Sequence, residues 1–274
     1  MSIIEKINKR RYIKVDFFMM YNLLFFILIL ISNYSFSQIL PSYHAVHYKT
    51  DGIIESNLIL HLDASNSNSL NENDLSTWSD LSSSNNDVSL VTGFTRNGYT
   101  LNSNPSFSSD NGGSIIFNDD AAYRKSTFSN FSGNAFTVSM WIKTSQNSGR
   151  LISVARSPST YGKQMILWLL NNTKFGIYGA SNSSTAINDN TWEFITIVRN
   201  SGTYKYYINQ NLDVTRTGYD SKTFNSNDLV IGWDYRNNGS GFEGNLGAVF
   251  FYNTDLSTDQ VVSNYNATKS RYGH

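Results

Sequence analysis

The chain has 274 residues, with 21 Lys+Arg against 21 Asp+Glu and no cysteine. Such a length holds one large β domain or two small ones. A formal net charge of zero argues against nucleic acid as the main partner, because neutralising phosphates needs a clustered positive surface. Lack of cysteine excludes disulfides, a thiolate nucleophile and cysteine-based metal sites, and a domain of more than ~200 residues buries enough surface to fold without them.

The N-terminus reads as an export signal. Lys6, Lys9, Arg10, Arg11 and Lys14 form a positive flank. An apolar run from Phe17 to Ile31 follows, broken by Tyr21 and Asn22. Ser35 and Ser37 are the small residues of a signal-peptidase site before Gln38. The run is shorter than the ~20 apolar residues a spanning helix needs. Residues 1–37 are therefore expected to be a cleaved signal peptide, with Met19 or Met20 as alternative starts. The alternative is an uncleaved anchor, the one route by which the protein would touch a membrane. Either way the remainder is secreted or held at the cell envelope. Residues 38–56 lack periodicity and form a lead-in.

Strand signals then arrive in series. Residues 58–62 are a short apolar run. Residues 66–87 are polar, with Leu70, Leu75, Trp78 and Leu81 as large apolar anchors. Residues 114–117 are strand-like. Residues 136–143 alternate: Phe136, Val138, Met140 and Ile142 face one way, Thr137, Ser139, Trp141 and Lys143 the other. Runs at 151–154, 165–170, 174–178, 192–199, 204–208, 229–232 and 246–252 follow, separated by Asn, Ser, Gly and Asp clusters. Many short strands at close spacing predict an all-β fold, an antiparallel β-sandwich or jelly roll. One C-terminal helix is expected. Ser257-Thr-Asp-Gln260 makes a capping box, Val261, Val262 and Tyr265 form an apolar stripe, and Lys269 and Arg271 suit the dipole at the far end.

Several segments resemble the laminin-G-like domains of the concanavalin A-like lectin/glucanase family. Leu60-His-Leu-Asp-Ala-Ser65 is similar to the family's L-W-L-D-A-S opening, with His61 at the Trp position. Thr77-Trp-Ser-Asp-Leu-Ser82 resembles W-x-D-L-S-G, with Ser83 in place of Gly. Ser114-Ile-Ile-Phe117, with Asp119 and Asp120 beyond it, is similar to the L-x-F-D-G turn. Residues 136–143 resemble F-T-I-x-x-W-V-K, and residues 191–198 resemble T-W-x-x-I-T-x-V. Tyr207-Ile-Asn-Gln210 resembles Y-V-N-G, with Gln210 for Gly; Asn209 and Asn211 tolerate positive φ, so a hairpin turn survives. The closing order is the most specific. Ile231-Gly232, Phe242-Glu-Gly244, Leu246-Gly247, Tyr252-Asn253 and Leu256-Ser257 follow I-G…F-x-G-x-I-G-E-V-x-x-Y-N-x-x-L-S, with Ala248 where an acidic residue is common. The resemblance implies one concanavalin A-like jelly roll over residues 57–273. It does not select a function, since this fold carries binding modules, adhesins and glycosidases.

Glycoside hydrolysis needs two placed carboxylates, which the family's glucanase branch sets as E-x-D-x-x-E on a strand. Glu193 and Glu243 have no carboxylate at that spacing, and Glu72 with Asp74 fills two of three places within a polar stretch. His44 and His47 have metal-ligand spacing but no clear third ligand, and His61 reads as a packed strand residue. Calcium is the one cofactor the loops could hold, with Asp119 and Asp120 as ligands just past a strand; ordinary turn chemistry accounts for the same residues. Sugar binding needs exposed rings beside amides, carboxylates and arginine. Trp233, Asp234, Tyr235, Arg236 and Asn237 supply that set in one loop, Tyr161 and Trp168 form a second group, and Trp141 could line a concave surface. Packing in the core is the competing reading for Trp233, Tyr235 and Trp141. The leading expectation is an exported, non-catalytic binding or adhesion module for an extracellular glycan or a cell-surface protein. The alternatives are a glycoside hydrolase of the same fold and a purely structural domain of a surface assembly.

Overall fold

The computed structural model describes residues 52–96, 99–128, 130–131, 133–154, 165–169, 173–219, 224, 228–234 and 241–274. The segment expected to be an export signal (residues 1–37), His44, His47, Tyr161, Tyr235, Arg236 and Asn237 lie outside them. The chain runs through β1 (Leu58–Asp63), β2 (Leu70–Asn71), β3 (Asp74–Trp78), β4 (Val88–Leu90), β5 (Phe94–Arg96), β6 (Tyr99–Leu101), β7 (Ser106–Ser108), β8 (Ser114–Asn118) and β9 (Tyr123–Lys125). Then come β10 (Ala135–Lys143), β11 (Gly149–Val154), β12 (Met165–Leu169), β13 (Phe175–Ile177), β14 (Trp192–Asn200), β15 (Thr203–Ile208) and β16 (Asn211–Arg216). The series closes with β17 (Leu229–Ile231), β18 (Glu243–Tyr252) and the helix α1 (Thr258–Thr268).

These strands form two large antiparallel sheets. Sheet I has the order β16-β15-β14-β10-β18-β8-β7, with β1 also paired to β18; sheet II has the order β13-β12-β11-β17-β9-β4-β3-β2. The hairpin β5–β6 stands apart from both. The core lies between the sheets. The alternation of β10 is realised there: Phe136, Val138, Met140 and Ile142 are buried against Ile195 and Ile197 of the same sheet and Ile152, Leu167, Leu229 and Ile231 of the other. Fully burying one such side chain stabilises by ~1.5–3 kcal/mol relative to leaving it exposed. The fold is the antiparallel sandwich with one C-terminal helix that the patterning and the resemblance predict.

The polar stretch 66–87 is more ordered than its composition announces. Asn66, Asn71 and Asp74 each accept from the amide two residues on, at 2.9–3.0 Å. Such Asx turns reverse the chain without glycine. Asp80 accepts from the amides of His61, Ser82 and Asn86 at 2.8–2.9 Å, which ties the stretch to β1. The turns let Leu70 and Trp78 reach the core. At the other end, Ser257 caps α1: its Oγ accepts from Gln260 N at 3.2 Å, and Gln260 Oε1 accepts from Ser257 N at 2.9 Å. Lys269 and Arg271 fall in a 3-10 turn after the helix (Lys269–Tyr272). Arg271 acts through an ion pair with Asp63 on β1 at 2.9 Å, which differs from the dipole role its sequence position implies.

Candidate binding face

Each sheet has an inner face in the core and an outer face, and the two outer faces differ. On sheet I, Trp141, Phe194, Phe250 and Tyr252 point outward into a cluster with Val261, Tyr265 and Tyr272 of the C-terminal segment. Trp141 stacks on Tyr272 with centroids 4.2 Å apart and an interplanar angle of 18°. The helix and the turn after it roof this face. Trp141 is fully buried, so it lines no open surface, because α1 has taken the face that its strand position left to solvent. Trp192 is buried in the same cluster.

On sheet II, Leu229 and Ile231 of β17 enter the main core, so Val230 between them points outward. It is covered by Leu101 and Phe94 of the β5–β6 hairpin, together with Ala122 and Trp233. Trp233 is 1% exposed and Asp234 is 1% exposed. The Trp233 ring meets Phe94 edge-on at 6.0 Å, and its carbonyl accepts from Ser153 Oγ at 3.2 Å. Gly232 before it has φ +86, and a Cβ there would sit 2.6 Å from the Phe117 ring. The two described residues of the 233–237 loop are therefore inside the protein. No sugar face reaches the Trp233 indole while the hairpin covers it, which corrects its expected place at the surface.

The other half of sheet II, β11 to β13, carries a different group. Arg150 stands opposite Trp168 in the β11–β12 ladder, and Trp168 stands opposite Gly176 in the β12–β13 ladder. A bulge at Leu151 shifts the register between Arg150 and Ile152. It lets Leu151 and Ile152 both enter the core while Arg150 stays outside, the re-aiming that bulges provide. Leu167 and Leu169 point inward, which puts Trp168 on the outer face. The Arg150 Cζ lies over the Trp168 ring, 5.3 Å from its centroid. Tyr178 follows β13 in a tight turn closed by Ile177 N donating to Ser181 O at 2.9 Å. Its ring meets Trp168 edge-on, with centroids 4.8 Å apart at 78°. Tyr178 is 44% exposed; Trp168 and Arg150 are half-buried. Of the sequence candidates, Trp168 belongs to this platform. Arg150 and Tyr178 are additions that carry no motif, and nothing in a linear pattern marks the bulge that aims Arg150.

The carboxylates sit elsewhere. Thr191 Oγ1 donates to Asp189 at 2.6 Å and lies 3.5 Å from Glu193 Oε1, while Asn209 Nδ2 donates to Glu193 Oε2 at 2.6 Å. Burial pushes the Glu193 carboxyl up, and the Thr191 hydrogen bond pulls Asp189 down. Asp74 is fully exposed at the start of β3 and is lowered by its bonds with Ser76. His61 packs on Phe250 with centroids 4.8 Å apart, and burial lowers its pKa. Asp119 adopts φ +67 and donates its amide to Phe242 O at 3.0 Å; Asp120 donates to Asn118 O at 2.7 Å. Among the described residues no group of three or more His, Asp or Glu side chains is placed to hold a metal ion.

Known proteins share this architecture. Domain 4 of AbnA, a GH43 extracellular arabinanase from Geobacillus stearothermophilus solved with arabinotriose, superposes with a TM-score of 0.56 at 17% identity, over 76% of this chain and 98% of that one. Trypanosoma rangeli sialidase in complex with sialic acid gives 0.57 at 11% identity, over 81% of this chain and 35% of that one. Botulinum neurotoxin type C, whose cell entry depends on interaction with two ganglioside molecules, gives 0.54 at 15% identity, over 78% and 52%. At these identities the likeness is one of fold. No curated protein matches the sequence. A family model described as the concanavalin A-like lectin/glucanases superfamily matches residues 117–262. That span is more than half of the chain and contains β10 to β18, and the chain belongs to the concanavalin A-like lectin/glucanases superfamily.

Proposed function

We propose that the chain is an exported, non-catalytic module that binds an extracellular glycan through the outer face of β11 to β13. The observation that carries this reading is the Tyr178 ring, 44% exposed and packed edge-on against Trp168. Apolar faces of sugar rings stack on aromatic rings, and Tyr and Trp offer that area at low entropic cost when a rigid element holds them. The ligands named for the arabinanase domain, the sialidase and the neurotoxin are arabinotriose, sialic acid and gangliosides, which supports a carbohydrate here. Export is supported by the basic flank, the apolar run and the Ser-Phe-Ser-Gln end of the leader.

The test is glycan-array binding of the secreted protein, with and without EDTA, beside Tyr178→Ala and Trp168→Ala. Losing a central aromatic anchor weakens binding by about 1–3 kcal/mol, so affinity for glycans bound by the parent should fall about fivefold or more in both variants. Equal binding by parent and variants overturns the reading. The EDTA arm decides whether calcium at Asp119 and Asp120 contributes. A hydrolase reading has one observation in its favour, the shared Thr191 hydroxyl between Asp189 and Glu193, whose surroundings push their acidities apart. Release of reducing ends from β-glucan, laminarin or xylan, abolished by Glu193→Gln, would replace the binding reading with that one.

A further inference from the structure

The sandwich is open at one margin. β7 ends the strand order of sheet I and β2 ends that of sheet II. A cleft of about 460 Å³ is lined from both strands, within the ~300–1,000 Å³ of small-ligand sites. Its apolar lining is Ala64, Leu70 and Phe107. Phe107 stands opposite Ile115 in the β7–β8 ladder, on the inner face of the sheet. No strand follows β7 in that order, and the Phe107 ring is only half-buried. Leu70 stands opposite Trp78 in the β2–β3 ladder and is buried. The cleft therefore presents part of an aromatic ring beside an aliphatic floor.

Its rim is polar and balanced. Asn71 Oδ1 accepts from Asn73 N at 3.0 Å, which closes the β2–β3 turn and leaves Asn71 Nδ2 as a donor at the rim. Among the described residues the Glu72 carboxylate and the hydroxyls of Ser67 and Ser109 have no partner, and these residues are exposed. A neutral sugar hydroxyl both donates and accepts, so a site for it sets a carboxylate or amide oxygen beside donors. The apolar face of the sugar ring needs an aromatic or aliphatic surface. The cleft holds both sets. Glu72 is the one charged residue of its lining. Arg271, packed beside Gly112, commits its guanidinium to Asp63, Ser65 and Tyr272. An anion would meet a like charge there. We propose that this marginal cleft is a second saccharide site, for a neutral sugar unit, with hydroxyls on Glu72 and Asn71 and the apolar ring face on Phe107. It goes beyond the platform, which lies on β11 to β13 at the other end of sheet II.

The experiment titrates the isotope-labelled protein with xylotetraose, cellotetraose, arabinotetraose and, as the anionic comparison, tetragalacturonate, and follows backbone amides by NMR. At least one neutral member should shift the amides of Asn71, Asn73 and Ser109, and tetragalacturonate should not. Glu72→Gln turns a charge-assisted hydrogen bond into a neutral one in an exposed turn, and should weaken that titration about fivefold or more. Phe107→Leu keeps an apolar side chain and removes the flat ring, with a loss of about fivefold or more. If Phe107→Leu loses the dispersed spectrum of a folded protein, Glu72→Gln alone decides. The amides of Gly176 and Tyr178 report the platform in the same spectra. Shifts confined to those two support the platform and overturn the cleft; shifts confined to the cleft do the reverse. Tetragalacturonate binding the cleft as tightly as the neutral members overturns the neutral class. If no neutral member shifts the cleft amides, or a folded variant titrates like the parent, the cleft is the bare margin of the core and the proposal falls.

Discussion

The indole Nε1 of Trp141 donates to Thr268 Oγ1 at 2.7 Å, and both residues are buried. The Thr268 hydroxyl in turn donates to Asn264 O at 2.9 Å, so one relay runs from the middle of sheet I into the last turn of α1. It explains why a tryptophan on the outer face of a strand is a framework residue here. The ring is covered by Tyr272 and Tyr265, and its polar edge has a partner supplied by the helix.

Thr268→Val keeps the volume and removes the acceptor. It leaves a buried N–H without a partner, which costs ~1–3 kcal/mol. Chemical denaturation should show the midpoint falling with an unchanged slope, and Thr268→Ser should restore most of the loss. Glycan affinity per folded molecule should not move, because this relay lies on the opposite sheet from the platform. An unchanged midpoint in Thr268→Val would show that the relay contributes nothing.

Burial also decides what Trp233→Ala does. The ring is enclosed by Phe94, Leu101, Val230 and Ala122, and truncating a buried Trp costs ~3–5 kcal/mol. The melting temperature should fall by several degrees or more, while affinity measured per folded molecule stays at the parental value. A variant that melts normally but binds weakly would return the ligand contact to this loop.

The long strands are legible in the sequence because alternation needs length to show. β10, β14 and β18 hold nine or ten residues each; the inward sets of β10 and β14 alternate, while in β18 a register shift puts Leu246 and Val249, three residues apart, on the same core face. β2 holds two residues, and β4, β5, β6, β7 and β9 three each; so few positions carry no period, and their partners come from turns built by Asn and Asp. The same limit blurs the site. Trp233 follows a strand and precedes Asp, Tyr and Arg, which reads as a binding loop until the β5–β6 hairpin is seen to lie on it. Arg150 reads as the start of a strand, and its outward aim depends on the Leu151 bulge. Asn209 is the favourable case: its φ of +58 supplies the two-residue turn between Ile208 and Asn211 that a missing Gly would otherwise leave unexplained.

Export makes its own prediction. The leader has a positive flank, an apolar core too short to span, and small residues at Ser35 and Ser37. Intact-mass analysis of the protein outside the cytoplasm should find a mature N-terminus near Gln38. Full-length protein retained in the cytoplasm would remove the extracellular setting from the proposed function.

Glu193 makes stability depend on pH with an unusual sign. Burial holds its carboxyl above the usual range near 4.5; Asp189 pushes it further up, while the hydrogen bonds from Asn209 and Thr191 and the nearby His274 pull it down without cancelling the rise. Below the unfolded value the carboxyl is protonated in both states, and burial opposes no charge. As pH rises, the unfolded chain ionises first, so the folded state loses relative stability until the folded value is passed, and the deficit is constant above it. Glu193→Gln removes the ionisation and keeps an acceptor for Asn209. It should therefore be more stable than the parent at about pH 7, and the gap should close as pH falls toward about 4. Asp189 supplies the opposite control. Its hydrogen bond to Thr191 lowers its pKa, so it stabilises above its unfolded value and loses that contribution as pH falls through its folded one. Asp189→Asn should weaken the protein slightly at about pH 7, the small size following from its exposure, and the difference should vanish in acid. Thermal melts of the three proteins across that range separate the cases. A Glu193→Gln gap that grows on acidification would mean that Asn209 and Thr191 favour the charged form by more than burial opposes it.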